Sequence, residues 1–425
     1  MRAGEPVLLI CHAFPPIFDI GGRRWAKFAK ELARRGHPVH VIRARKLPGT
    51  PDSLWLADGL QPGIVHHPLP LRYPAVLTQQ QVKSIGDKLM YRVWKKVLPL
   101  VTKGNWYDHS IFWRGQLKRE VARLVHEHGI RQVITTGFPF RLMEQVLELR
   151  RSLPQLRFTM DFRDEWTWAG QYGLASIGAR RVQEEKEIEE RVVRGADVVT
   201  TPHERVVEHL QHTYPSEAHK IRLLPHAVDP DDFDRSISPA AHGAFHMVYA
   251  GSLYGAGEAQ HYFTRLVQAF EALRHQQPEI FAQSRLDLYI TGHDTRWYED
   301  QVVQAELTKT IRFHAPLPPK EVFKKIRAAN LVILYIPKAN NNILGTKFQE
   351  IFYCGTPILH VGEPGLVSRT IQERQMGSSI TVDELVAELP RIITGERTVE
   401  VDRHADHSAY LLANITDRLI SEVLE

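Results

Sequence analysis

Cysteine is nearly absent from this 425-residue chain, with Cys11 and Cys354 its only two. They lie far apart and in no Cys-x-x-Cys or Cys/His ligand spacing, which excludes a disulfide framework and a cysteine-based structural zinc site. A reducing, cytosolic address is the expectation. Long apolar runs are also missing. The opening MRAGEPVLLICHAFPP holds only a few consecutive apolar residues between Glu5 and His12, and the best run elsewhere, Leu331 to Ile336, is of strand length. Neither suits a signal peptide or the ~20 residues of a membrane-spanning helix, so neither is expected. No Gly-x-Gly-x-x-Gly fingerprint and no Walker loop occur, which removes support from dinucleotide redox and P-loop chemistry. Low-complexity segments and internal repeats are lacking too.

What is present is the composition of an ordinary globular chain, 43% hydrophobic and 24% charged. At roughly 100 to 200 residues per domain it has room for two or three full cores. Net charge is +5 overall but uneven: residues 1–160 hold 26 Lys and Arg against 11 Asp and Glu, net +15, while residues 236–425 hold 18 against 22, net −4. The basic front suits a polyanion or an anionic membrane, or is a solvated basic surface without a partner. Nucleic acid is not expected, because the basic residues are spread over many elements and no groove-reading or RNA-binding motif appears.

Short β-type runs alternate with amphipathic helical stretches almost from end to end, the rhythm of parallel sheets covered by helices. Strands are expected at Val7–Ile10, Val39–Ile42, Gln132–Thr135, Arg157–Asp161, Val198–Thr201 and Ile221–Leu224. After a Pro/Asp/Ser stretch over residues 227–243, which reads as a linker, they continue at Phe245–Ala250, Leu286–Ile290, Ile311–Phe313, Leu331–Ile336 and Pro357–Val361. The fold class is therefore α/β with two Rossmann-like domains, residues 1–235 and 236–403, and a C-terminal helix in 404–425 that packs back on the first domain. Lys83–Lys103 stands apart, mixing Lys88, Arg92, Lys95 and Lys96 with Leu89, Met90, Val93, Trp94 and Leu98. It reads either as a domain helix with its apolar face in the core or as a basic amphipathic helix contacting an anionic membrane.

Three segments carry the candidate chemistry. In CHAFPPIFDIGGRRW a first strand ends and Gly21-Gly22 opens a helix whose first amides can meet an anion or a sugar; a tight strand-to-helix turn is the plainer reading. TTGFPF at 135–140 and DFRDEWT at 161–167 follow two further strands, placing Arg163, Asp164 and Glu165 where open α/β sheets bind ligands. Either carboxylate can orient a hydroxyl, or Arg163 and Asp164 form an ion pair that ties down the loop. In IPKANNNILGTKFQEIFYCGTPILHV a helix starts at Thr346. Amides of Gly345, Thr346 and Lys347 can meet a phosphate, Lys347 adds charge, and Glu350 one turn on can grip a ribose diol; an exposed Lys347–Glu350 pair is the alternative. Gly251, in the loop after Phe245–Ala250, offers a second close approach to phosphate.

At these residues the chain resembles the GT-B glycosyltransferases of family 4, retaining nucleotide-sugar enzymes whose two Rossmann-like domains face a cleft. The resemblance covers most of the chain and is most specific in LLPHAVDPDDF at 223–233. It implies transfer of a sugar from a UDP- or GDP-linked donor to a glycan, lipid-linked or small-molecule hydroxyl, with retention, without a metal or other cofactor and with no agreed protein nucleophile. Bacterial polysaccharide, glycolipid or glycoconjugate synthesis is the implied setting, in the cytoplasm or at the inner face of the plasma membrane. Donor contacts then fall on Gly22, Gly251, Asn342, Gly345, Thr346, Lys347 and Glu350, with Asp164 and Arg163 as the catalytic candidates. Two departures stand out. Asn342 occupies the place of the first of two glutamates spaced eight apart, and no basic residue follows the Gly251-Ser252-Leu253 turn. A nucleotide-sugar epimerase on the same fold, or a decayed scaffold that binds a polyanion, are the rival readings.

Overall fold

The computed structural model describes residues 4–78, 84–168, 170, 172–237, 244–253, 256–292, 294–402 and 405–425. Two compact units emerge, one of residues 1–227 with 412–425 and the other of 228–411. The first change-over falls at 227/228, earlier than the expected 235/236, because the Asp-Pro-Asp-Asp-Phe stretch is built into the second unit and is not a free linker. Phe233 stacks on Phe323 at 4.5 Å, and buried Asp232 lies 3.5 Å from Lys320. Residues 238–243 of the expected linker lie outside the described residues.

The first unit is a seven-stranded sheet of β1 (Val7–Ile10), β2 (Val39–Ala44), β3 (Ile64–Leu69), β4 (Gln132–Gly137), β5 (Arg157–Phe162), β6 (Val198–Thr201) and β7 (Ile221–Leu223). All its pairings are parallel and the spatial order is 3-2-1-4-5-6-7. Strand β1 shows why such strands read as unbroken apolar runs. Val7 and Leu9 enter one core with Trp25, Phe28 and Leu32 of the helix Arg23–Arg34, while Leu8 and Ile10 enter the other with Leu117, Val121 and Leu124 of the helix Arg114–His128. The helical segments Leu412–Arg418 and Leu419–Leu424 complete the former core through Ile415, Leu419 and Val423. Arg418 Nη2 also donates to the Leu223 carbonyl at 2.9 Å.

The second unit repeats the plan with six parallel strands, β8 (Phe245–Gly251), β9 (Ser284–Ile290), β10 (Ile311–Phe313), β11 (Leu331–Tyr335), β12 (Ile358–Val361) and β13 (Gly377–Ile380), in the order 10-9-8-11-12-13. In each sheet the order reverses beside the first strand, between β1 and β4 and between β8 and β11. Such switch points leave a crevice at the strands' carboxyl ends, where ligands bind in open α/β sheets. Of the basic amphipathic segment, Lys83 lies outside the described residues, and the helix runs Ile85–Val101. Among the described residues no helix is long and apolar enough to cross a membrane.

Candidate active site

At the second unit's switch point, β8 ends on Gly251 and the helix Thr346–Cys354 begins beyond β11, with Gly355 in the left-handed conformation as its stop. Lys347, in the first helical turn, folds back across the end of β8. Its Nζ lies 5.4 Å from the Tyr249 ring centroid, and a Cβ added to Gly251 would sit 1.9 Å from that nitrogen. Gly251 also has φ +141, so both its backbone and its missing side chain make room for the ammonium. The turn after β8 has no basic residue of its own, and Lys347 brings the positive charge to it from 96 positions downstream, as the numbering in the sequence shows. Burial lowers the Lys347 pKa to about 8 against the opposing pull of the Glu350 carboxylate. A charge held at such a cost is poised to gain from an anion.

Next to Lys347 is a cavity of about 220 Å³ lined by Ser252, Tyr335, Pro337, Gly345, Lys347 and Phe348. It is below the ~300–1,000 Å³ of sites that enclose a drug-sized ligand, and suits one anionic group of a larger molecule. The Phe348 amide donates to the Gly345 carbonyl at 3.1 Å, while the amides of Thr346 and Lys347 stand at the two helix positions before it, which lie ahead of any intrahelical acceptor. Thr346 is its first residue, and its side chain lies outside what is described. Glu350 is buried, 8% exposed, and Lys347 is half-buried, so the two are not an exposed helical pair. Asn342 Oδ1 accepts from the Leu366 amide at 3.0 Å, and Asn341 Nδ2 donates to the Pro364 carbonyl at 3.0 Å. The Asn-rich loop is thereby pinned to the start of the helix Leu366–Glu373, with the Asn342 amide group exposed. Tyr254 and Gly255, the end of the loop after β8, lie outside the described residues.

In the first unit the Gly21-Gly22 turn differs from a bare anion cradle. The Gly21 amide donates to Asp19 Oδ1 at 2.6 Å, and the Arg163 guanidinium fills the place where a Gly21 side chain would stand. A Cβ on Gly22 would meet the Ala13 carbonyl at 2.2 Å, so this glycine lets the helix start press against the chain leaving β1. Arg163 grips Asp164 through Nε and Nη2, both at 2.7 Å from Oδ2. Burial raises the Tyr172 hydroxyl's pKa, and the nearby Asp164 carboxylate raises it further. The loop-tying pair is thus present, and Asp164 keeps part of its surface open.

Sequence reasoning missed two groups of this edge. Asp161, fully buried at the end of β5, accepts from Trp25 Nε1 at 2.7 Å, from Thr136 and Thr200 hydroxyls at 2.9 Å, and from Arg24 Nη2 at 3.4 Å. It joins the first helix to β4, β5 and β6. Its place two residues before Arg163 was the available signal. His12 and His109, with rings 6.3 Å apart, sit beside Trp113 and Phe138. Burial, then His109, lowers the His12 pKa to about 3; burial likewise lowers that of His109, against Asp108 and Asp19. His12 lies two residues past the end of β1, whereas nothing in the sequence around His109 announces its position.

Comparison with known proteins follows the same division. The model of Glycosyltransferase Family 4 matches residues 21–232. D-inositol 3-phosphate glycosyltransferase of Stackebrandtia nassauensis is 26% identical over 224 residues, 48% of this chain and 49% of that protein, so the chain spans about half the length of the curated relative it matches. A glycosyltransferase from Rickettsia africae aligns over 99% of this chain and 94% of its own with TM-score 0.61 and 13% identity. A putative UDP-N-acetylglucosamine 2-epimerase from Listeria monocytogenes aligns over 98% and 95% with TM-score 0.56 and 11% identity. At these identities the solved structures speak to the fold alone. The chain thus has the GT-B fold, and over residues 21–232, just under half of its length, it is similar to Glycosyltransferase Family 4.

Proposed function

We propose that the protein moves a sugar from a UDP- or GDP-linked donor to a hydroxyl acceptor with retention of configuration. The observation that carries this is the Lys347 ammonium lying over Gly251 at the second sheet's switch point, beside a cavity fit for one anionic group. As the bond from the sugar carbon to the diphosphate oxygen breaks, its electron pair stays on the leaving diphosphate. Lys347 and the first amides of the helix Thr346–Cys354 then stabilise that growing negative charge. The acceptor oxygen forms the new bond and its proton passes to the leaving phosphate oxygen. Gly345 and Thr346 contact phosphate in this reading, Glu350 the ribose and Asn342 the sugar. In the first unit Asp164, steadied by Arg163, orients the acceptor, and Gly22 keeps the helix close to that edge. The acceptor is a glycan, a lipid-linked hydroxyl or a small molecule of bacterial polysaccharide, glycolipid or glycoconjugate synthesis.

The test is a thermal-shift screen across nucleotide diphosphates and their sugars, followed by product analysis, because a ligand that binds only the folded form raises apparent stability. UDP or GDP should raise the melting temperature of the native chain and not of Lys347→Ala. Asp164→Asn should keep that shift and lose sugar transfer. A free sugar epimer formed without any acceptor would replace transfer by epimerisation, and no shift with any nucleotide would remove the reading altogether.

A further inference from the structure

The helix Ile85–Val101 carries a surface that sugar transfer does not require. Six of the fourteen strongly exposed large apolar side chains among the described residues lie on it, Ile85 at 87%, Leu100 at 85% and Val101 at 64% being the most open. At about 100° per residue the helix has three faces. Leu98, fully buried, and Trp94, packed against the same core, mark the side that holds it to the first unit. Ile85, Leu89, Val93 and Leu100 line a second side in solvent, widened by Met90 and Val101. Exposed Lys88, Arg92 and Lys96, four residues apart, descend from the edge of that apolar arc into it, Lys96 falling between Ile85 and Leu89, and Lys95 lies beside Lys88.

The helix is also firmly based. Buried Arg181 donates to the carbonyls of Thr102 at 3.0 Å and Gly104 at 2.7 Å and to that of Pro99, clamping the C-terminal end to the helix Ala179–Gly195. Ser84 caps the other end, accepting from the Asp87 amide at 2.9 Å.

We infer that this helix docks the protein on an anionic lipid surface, the arc of Ile85, Leu89, Val93 and Leu100 entering the acyl boundary while Lys88, Arg92 and Lys96 meet the headgroups. An interfacial helix needs an apolar side, a basic side and limited overall hydrophobicity, and all three occur together here. Charge complementarity selects lipid over a second copy of the chain, because an isologous pairing would bring the same basic row from each copy to one apolar seam. The +15 balance of residues 1–160 acts in the same direction.

The experiment is co-sedimentation of the full chain with phosphatidylcholine vesicles, with and without roughly 30 mol % phosphatidylglycerol, at low and high salt. Binding is expected on the anionic vesicles only and should weaken with salt. The triple variant Lys88→Gln, Arg92→Gln, Lys96→Gln should lower partitioning about 100-fold, near fivefold for each charge removed. Leu89→Asp with Val93→Asp should abolish it, with melting temperatures of both variants close to that of the native chain because every altered position is exposed. Native protein left in the supernatant with anionic vesicles would overturn the inference. So would binding indifferent to both sets of changes, or a dimer in light scattering that Leu89→Asp splits without any vesicle binding.

Discussion

Raising the pH through 8 should weaken nucleotide diphosphate binding, and the slope follows from Lys347. Burial sets its pKa at about 8 in the empty protein, against an ordinary 10.5. At ~1.4 kcal/mol per pKa unit, holding this charge below pH 8 costs the ligand-free protein about 3 kcal/mol. The sign is that of a base whose folded pKa is depressed. The penalty is fully present below about pH 8 and is relieved as pH rises towards the unfolded value, so the empty protein gains stability across that window. A diphosphate seated on the ammonium restores the ordinary pKa by supplying the missing counter-charge. Binding then draws in about 0.9 proton at pH 9 but only about 0.1 at pH 7, and affinity falls roughly 25-fold between pH 7 and 9.5. Isothermal titration with UDP and GDP in two buffers of different ionisation enthalpy measures the uptake directly. Lys347→Met should abolish the uptake, flatten the pH curve and match the native affinity most closely at the alkaline end. Uptake below about 0.2 proton at pH 9 with pH-independent affinity would refute the placement of diphosphate on Lys347.

Two further outcomes test the packing around the sites. Gly251→Ala should weaken diphosphate binding at least tenfold in the same titrations, since its Cβ takes the place of the Lys347 ammonium; the strained φ should add about 1–3 kcal/mol of destabilisation. Asp161→Ala removes the carboxylate that compensates buried Arg24, and urea unfolding should show a loss of about 3–5 kcal/mol; a loss under about 1 kcal/mol would mean that the Leu224 and Pro225 carbonyls alone hold the guanidinium.

Central strands were legible in the sequence because burial on both faces leaves no polar alternation to interrupt them. β1 and β6 begin and end where the apolar pattern does, and the helix Thr346–Cys354 fits its Gly345 and Gly355 punctuation. Edge strands β3 and β13 escaped for the converse reason. Ile64–Leu69 carries two histidines and Pro68, and Gly377–Ile380 is mostly Gly and Ser. A strand paired on one side only tolerates such residues, and nothing local marks it as a strand. The candidate site divides along the same line. Local spacing put Lys347 and Glu350 on one helical face, but it could not say where the long Lys347 side chain would go. Its course is decided by burial against Tyr249 and by the absence of a side chain at Gly251, a contact between residues distant in sequence. The apparent lack of a base after β8 is therefore a change in where the charge originates. A turn with its own surface base can lose it at modest cost, whereas here one half-buried lysine, one glycine and one tyrosine ring must vary together. Exchanging any one of them alone should disturb diphosphate binding, pH dependence and stability at once.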